Sequence, residues 1–356
     1  MVGTAFMRDI KVFIDDGLML AREKPTGIGW YTLNLMRELP GLGIQVKRKK
    51  YSDLFCSMPT PIKRIVYLAA SFGNCLRKDV DLIHYTNFYV PPCRHRVPVV
   101  STIHDLTSYL YPQTLPASYR YYCRFAVACA VKYADLILTP SEAVKIELLD
   151  RFKTLTDDKV KVVFQDIRDL FFTAVKTDVA KEHFLYVGVL EKRKNLEMLI
   201  RTFSRFSENF KNAKLVLIGK PGFGFDEINQ AIGQSKNVVY YNYMPDDELV
   251  KMYNKSHALI MPSLYEGFGR PVIEAMALGL PVIASNIPTN RELLQRHGKI
   301  ELVNLTRPEE LLSLLETLLT TPRARIDYGN LDMYRTTEVA HRHVEAYQLL
   351  FKPDSS

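Results

Sequence analysis

Short apolar runs rich in β-branched residues alternate along this chain with longer stretches whose apolar positions recur every three to four residues. That alternation predicts strand–helix–strand units and parallel sheets. In the first half, Lys11-Val12-Phe13-Ile14 reads as a strand, followed by a loop with Gly27 and Gly29. A helix then runs through Tyr31, Leu35 and Leu39 and stops at Pro40-Gly41. Further strands are expected at Gly43–Val46, Leu82–Tyr85, Val99–Ile103, Leu136–Leu138 and Val160–Phe164. The pattern restarts at Phe184–Gly188, a strand running into a glycine, with a helix from Asn195. Leu215–Ile218, Val238–Tyr241, Leu259–Met261, Pro281–Ala284 and Lys299–Val303 repeat the theme. Strands apolar almost throughout imply sheets covered on both faces. The expected fold class is therefore α/β, two doubly wound domains joined around residues 167–182. Ligands of such sheets bind beyond the C-terminal ends of the strands, which points to the interdomain cleft.

A chain of 356 residues with 47% hydrophobic composition suits two domains. No apolar run approaches the roughly 20 residues of a membrane span, and Met1 to Met7 is too short and mixed for a signal peptide. The expected location is the cytoplasm. Cys56, Cys75, Cys93, Cys123 and Cys129 are odd in number without Cys-x-x-Cys spacing, so reduced thiols are expected, neither a disulfide frame nor a zinc site. The net charge of +8 is unevenly spread: residues 1–170 hold 24 Lys/Arg against 17 Asp/Glu, and the remainder is nearly balanced. The sharpest cluster is Lys47-Arg48-Lys49-Lys50. It reads either as a solvated surface or as a site for anionic lipid headgroups; no helix-turn-helix, zinc-finger or aromatic RNA-binding signature supports nucleic acid.

The chemistry concentrates in Pro262-Ser263-Leu264-Tyr265-Glu266-Gly267-Phe268-Gly269-Arg270-Pro271-Val272-Ile273-Glu274-Ala275-Met276-Ala277, which follows a strand and opens a helix. Pro271 suits the first helical turn, where its missing N–H costs nothing. Gly267 and Gly269 let the backbone turn and approach a ligand, leaving amides and the positive helix end to face a diphosphate or sugar hydroxyls. Glu266 and Glu274 form a Glu-x7-Glu pair, and Glu274, one turn into the helix, is placed to accept hydrogen bonds from a ribose diol. Lys192, Arg193 and Lys194 follow the first strand of the second block, where cations can neutralise a departing diphosphate. His104, in Ser101-Thr102-Ile103-His104-Asp105-Leu106, stands at the C-terminal end of a strand. Each element alone also fits an ordinary loop, helix cap or structural histidine; the whole string in its strand–loop–helix setting does not.

The string from Pro262 to Val282 resembles the signature of glycosyltransferase family 4, the group 1 glycosyl transferases. Supporting matches are Thr26-Gly27-Ile28-Gly29, Ile103-His104-Asp105-Leu106, Leu138-Thr139-Pro140-Ser141-Glu142 and Arg193-Lys194-Asn195. The resemblance implies a GT-B fold of two Rossmann-like domains, retention of anomeric configuration, and no metal or other cofactor. It implies an acceptor-binding domain over residues 1–170, a donor-binding domain over 171–335, and a C-terminal helix, about 336–356, that crosses back to the first. Carried over by position, Glu266 and the amides of Gly267, Phe268 and Gly269 contact donor sugar and diphosphate, Arg270 lies with them, and Glu274 binds ribose. Arg193 and Lys194 hold phosphates, His104 contacts the sugar or orients the reacting groups, and Gly27 and Gly29 line the N-terminal side. Val189 stands where many members have Arg, Arg270 replaces a common Leu, Trp30 a common Arg, and Tyr243 a frequent Gly.

The implied activity is retaining hexosyl transfer, mannose favoured, from a GDP- or UDP-linked sugar to a polysaccharide or lipid-linked acceptor. Transfer from UDP-glucose or UDP-N-acetylglucosamine, a non-catalytic sugar-nucleotide-binding subunit and a nucleotide-sugar epimerase are the alternatives. A dinucleotide oxidoreductase fits poorly, because Gly27-Ile28-Gly29 has Thr32 in the third glycine's place. Asp79-Val80-Asp81, the one Asp-x-Asp, precedes a strand at its N-terminal end, away from ligands. Ile62, Ile65, Val66 and Leu68 at helical spacing beside Lys63 and Arg64 suit a helix lying peripherally on an anionic membrane.

Overall fold

The apolar runs become strands because β-branched and aromatic side chains pack well on a pleated surface covered from both sides. A computed structural model describes residues 10–15, 27–48, 58, 60–176, 181–321 and 325–351. Thr26, Lys49, Lys50 and Cys56 lie outside them. The chain divides into two compact units, one of residues 1–108, 118–166 and 333–356, the other of 109–117 and 167–332.

The first unit holds a parallel sheet of β1 (Lys11–Asp15), β2 (Gln45–Arg48), β3 (Leu82–Tyr85), β4 (Val99–Thr102), β5 (Leu136–Thr139) and β6 (Val160–Val162), in the order β2-β1-β3-β4-β5-β6. The second holds β7 (His183–Val187), β8 (Leu215–Ile218), β9 (Val238–Tyr241), β10 (Ser256–Met261), β11 (Val282–Ser285) and β12 (Ile300–Val303), in the order β12-β11-β10-β7-β8-β9. The helices that matter below are α1 (Gly27–Glu38), α2 (Thr60–Ser71), α3 (Glu142–Arg151), α4 (Leu196–Asn209), α5 (Asp246–Asn254), α6 (Arg270–Ala277) and α7 (Thr336–Leu349). Both sheets are parallel throughout, the two Rossmann-like halves of a GT-B fold.

Several boundaries differ from the sequence expectation by one to three residues, and two of the differences have a local cause. Gly27 and Gly29 sit in the first turn of α1 and not in a loop. β2 begins two residues later than expected, because Gly43 takes φ 78° to close the turn Leu39–Leu42. Only a residue without Cβ reaches that conformation at little cost. α3 starts as its sequence dictates: the Ser141 hydroxyl accepts from the Val144 N–H at 3.2 Å, with Glu142 in the first turn and Arg151 in the last.

The core of the first unit is completed by α7. Val339, His343 and Tyr347 are buried at four-residue spacing, and Val339, Ala340, Val344 and Tyr347 pack with Tyr31, Leu35 and Leu39 of α1 and its turn. Leu350 and Phe351 pack against the same cluster.

Buried polar groups here are joined in one directed chain. His343 Nδ1 lies 2.7 Å from the Val339 carbonyl, which can only accept, so Nδ1 carries the proton and Nε2 the lone pair. Tyr31 therefore donates its hydroxyl to His343 Nε2 at 2.6 Å, and Thr102 donates to Tyr31 at 3.1 Å. His84 Nε2–H then donates to Thr102 at 2.8 Å, and Tyr347 donates to His84 Nδ1 at 2.8 Å. The chain works only with neutral imidazoles. Burial holds His84 well below the ordinary histidine value and lowers His343 from 6.5 to about 4.

A pH dependence follows. Unfolded His343 titrates near 6.5 and the folded residue near 4, so the unfolded chain binds more protons between them. The stabilisation is complete above 6.5 and is lost as the pH falls to about 4. Calorimetry should show the unfolding temperature of the native protein falling across this window, with a shallower fall for His343→Gln. An equally steep fall in the variant would assign the dependence to other groups.

Candidate functional site

The strand order of the second sheet reverses between β7 and β10, so the loops after these strands diverge to opposite sides and leave a crevice at their C-terminal ends. The two loops touch at their bases: Leu264 N–H donates to Arg193 O at 2.9 Å. Lys192–Lys194 form a single 3₁₀ turn, ended by Asn195 at φ 55°, from which α4 starts. The neighbouring loop after β8 is drawn close by Gly219, where an added Cβ would meet the Gly188 carbonyl at 1.9 Å.

Glu266 is the hub. Its Oε1 accepts from Lys194 Nζ at 2.5 Å and from the Ser263 hydroxyl at 2.6 Å, and its Oε2 from Arg193 Nη1 at 3.1 Å. Arg193 also donates to Tyr265 O at 2.5 Å and to Glu191 Oε1 at 2.7 Å. Glu266 and Lys194 are both buried. Burial alone would raise the carboxyl, but the Lys194 and Arg193 charges outweigh it and bring Glu266 down to about 2. Thr289 fixes the same residue's backbone by donating to Glu266 O at 2.6 Å.

Gly267, Phe268 and Gly269 lead from Glu266 into α6, all three buried. Gly269 takes φ 98° as the N-cap, and Pro271 occupies the first turn. Arg270 is half-buried at the helix start. Glu274 lies one turn in and is buried, with Tyr253 of α5 donating to Oε2 at 2.9 Å and Arg168 Nη2 to Oε1 at 3.4 Å. Arg168 also pairs with Asp246, at the start of α5. The structure thus gathers Arg193, Lys194 and Glu266 into one ionic cluster and sets Gly267 to Glu274 on the adjoining loop and helix.

His104 belongs to the first unit, two residues past β4, and is buried. Its Nε2 lies 2.7 Å from the Thr86 carbonyl and so donates; Nδ1 accepts from Gln165 at 2.8 Å. The imidazole packs edge-on against Tyr31, which follows Gly27 and Gly29 in α1. Asp79 and Asp81 are consumed structurally: Asp79 pairs with Lys47 at 2.9 Å and Arg77 at 3.0 Å, and Asp81 accepts from Lys11 N–H at 2.7 Å.

Arg168, Tyr253, Gln165 and Tyr111, whose ring stacks on Tyr265 at 5.6 Å, were not singled out from the sequence. Arg168, Tyr253 and Tyr111 meet the loop and helix of the second unit and Gln165 meets His104 in the first, and no local pattern marks any of them. The expectation of reduced thiols is corrected at one pair: Cys75 and Cys93 are joined, 18 residues apart, because the turn Phe72–Leu76 packs beside the loop leading to β4. Cys123 and Cys129 are buried and outside any disulfide among the described residues.

Two family models match: Glycosyl transferases group 1 over residues 168–330, and Glycosyltransferase Family 4 over residues 49–164. The chain belongs to the group 1 glycosyl transferases. Among similar proteins are O-antigen chain mannosyltransferase B of Escherichia coli, 29% identical over 240 residues, and O-antigen chain mannosyltransferase RfbU of Salmonella typhimurium, 28% identical over 225. The alignments cover 63% of this chain in both cases and 62% and 60% of those proteins, so the chain spans about three-fifths of their length. Sucrose-phosphate synthase from Thermosynechococcus elongatus shares the fold at TM-score 0.72 and 18% identity, covering 97% of this chain and 99% of that one. Anabaena HepE, solved with UDP and glucose, does so at 0.63 and 17%, covering 97% and 98%. In this group 1 glycosyl transferase the Glu-x7-Glu string and the Arg193-Lys194 pair fall at one switch point.

Breaking a buried ion pair from one side strands the other charge, at about 3–5 kcal/mol. Glu266→Gln should therefore destabilise the protein by that order in urea unfolding, and Lys194→Met in the same background should restore much of the loss. A Glu266→Gln variant as stable as the native protein would refute the pairing.

Proposed function

We propose that the chain transfers a hexosyl group, mannose favoured, from a nucleoside-diphosphate sugar to a polysaccharide or lipid-linked acceptor, with retention and without a metal. The observation that carries this reading is the Arg193–Lys194–Glu266 cluster at the crevice beside the N-terminus of α6. Helix N-termini favour phosphate, and the cations balance charge developing on a departing diphosphate. Lys194 spends one of its three N–H donors on Glu266 in the hydrogen bonds found here. Support for mannose comes from the O-antigen mannosyltransferases among the relatives.

The acceptor hydroxyl attacks the anomeric carbon from the face the diphosphate leaves, and a leaving phosphate oxygen takes the hydroxyl proton. Glu266 is a poor nucleophile candidate, since three donors already occupy its oxygens. Its proposed task is to orient Arg193 and Lys194 and to meet sugar hydroxyls. Glu274, held by Tyr253 and Arg168, receives the ribose diol. His104, bonded at both ring nitrogens, acts as a positioning residue beside Gly27 and Gly29.

Incubation with radiolabelled GDP-mannose and UDP-sugars tests the reading. Transfer from GDP-mannose should persist in EDTA, and Lys194→Ala should lower kcat more than it raises KM, because the charge it meets develops in the transition state. Glu274→Gln should weaken GDP binding roughly tenfold. Loss of transfer on chelation, restored by Mg²⁺, would overturn the metal-free mechanism; transfer from UDP-sugars alone would overturn the mannosyl assignment.

We also assign α2 to an anionic membrane surface. Among the described residues no helix is long and apolar enough to cross a membrane. α2 and the turn after it expose Ile62, Ile65, Val66, Phe72 and Leu76, with Lys63 beside them. Lys47 is partly neutralised by Asp79, so the contribution of the basic stretch is smaller than its composition implies. The protein should co-sediment with phosphatidylglycerol vesicles and not with neutral ones, and Ile65→Ser with Phe72→Ser should abolish binding. Equal binding to both vesicles, or to neither, would return this face to solvent.

A further inference from the structure

On the first sheet, away from the side of His84 and α7, a second cluster of reactive side chains surrounds the last residue of β3. Cys75 is buried in the turn Phe72–Leu76, and Cys93 and His95 lie on the loop that leads to β4. The loop is fastened to the turn by Arg96 N–H donating to Cys75 O at 3.2 Å. His95 Nε2 lies 3.6 Å from Cys75 Sγ and 3.0 Å from the Tyr85 hydroxyl. The ligand atoms of Cys75, Cys93 and His95 all fall within 4.8 Å of one another. Two sulfurs and one imidazole at that spacing are the donor set of a soft or borderline metal ion.

We propose that the reduced form of this cluster binds Zn²⁺ through Cys75 Sγ, Cys93 Sγ and the His95 imidazole, with water in the fourth position. Reduction by two equivalents of a low-molecular-weight thiol converts the Cys75–Cys93 bond to two thiols and the reductant to its disulfide. Zn²⁺ then displaces the two thiol protons. Lys78, Arg94, His95, Arg96 and Val97 line an adjoining cavity of about 610 Å³. The ion takes over the task of the sulfur–sulfur bond, pinning the turn before β3 to the loop before β4. None of the sugar-donor-site residues takes part.

Titration of the full-length, phosphine-reduced protein with Co²⁺ under anaerobic conditions tests this. The expected result is a near-ultraviolet thiolate-to-Co²⁺ absorption that saturates at about one ion per chain and is displaced by Zn²⁺. Cys93→Ser should abolish it, and His95→Gln should weaken Co²⁺ binding at least tenfold, as loss of one ligand requires. Serine at Cys123 and Cys129 should leave it intact, and Zn²⁺ should raise the unfolding temperature of the reduced native protein only. No absorption from the reduced protein, or an undiminished signal in Cys93→Ser, would overturn the proposal.

Discussion

A buried carboxylate held between a buried lysine and a part-buried arginine organises the second unit. Glu266 stays ionised in a place where burial alone would neutralise it, because Lys194 and Arg193 meet its oxygens directly. The pair forms only because β7 and β10, far apart in the chain, are neighbours in the sheet. Ionic contacts of this kind add little net stability over an apolar packing of equal volume, yet are costly to break singly. Their contribution is therefore directional: they keep two loops at one spacing, with donors set toward a crevice. Around them the fold supplies close backbone approach at Gly219 and a left-handed cap at Gly269.

Beside α7 the first unit uses a chain of neutral groups in place of an ion pair. A chain of buried polar side chains runs from the Val339 carbonyl through His343, Tyr31, Thr102 and His84 to Tyr347, each group between the two ends donating once and accepting once along it. A directed chain fixes tautomers as well as positions, so α1, β3, β4 and α7 share one register of protons. His104 continues this layer, its ring against Tyr31 and its nitrogens on Thr86 and Gln165.

The sheets were legible in the sequence because burial on both faces leaves an unmistakable apolar run, as at Leu82–Tyr85 and Leu215–Ile218. The loop-to-helix setting of Glu266 to Glu274 was legible for a local reason: glycines, Pro271 and the preceding apolar strand are adjacent. Strand order is not local, so the contact of Lys194 with Glu266, 72 residues away, left no trace. Arg168 and Tyr253 sit 106 and 21 residues from the carboxylate they support. The start of α1 was misjudged because Gly27 and Gly29 suggest a loop, whereas the helix is held by burial of Tyr31 and Leu35 beyond them. Cys75 and Cys93 gave no spacing rule to read, since a turn and a loop bring them together.

The placement of α7 governs the order in which the chain can fold during synthesis. Residues 109–117 and 167–332 form one unit, whereas the first unit lacks Val339, His343 and Tyr347 until residues beyond 332 have been made. Domains usually consolidate from the N-terminus onward. Here Tyr31, His84 and the apolar face of α1 must wait, partly uncovered, through the translation of more than half the chain. The later-made unit has all its residues first. The earlier one is sealed by a contact spanning 312 residues, and contacts of such long sequence separation are the slow ones to form.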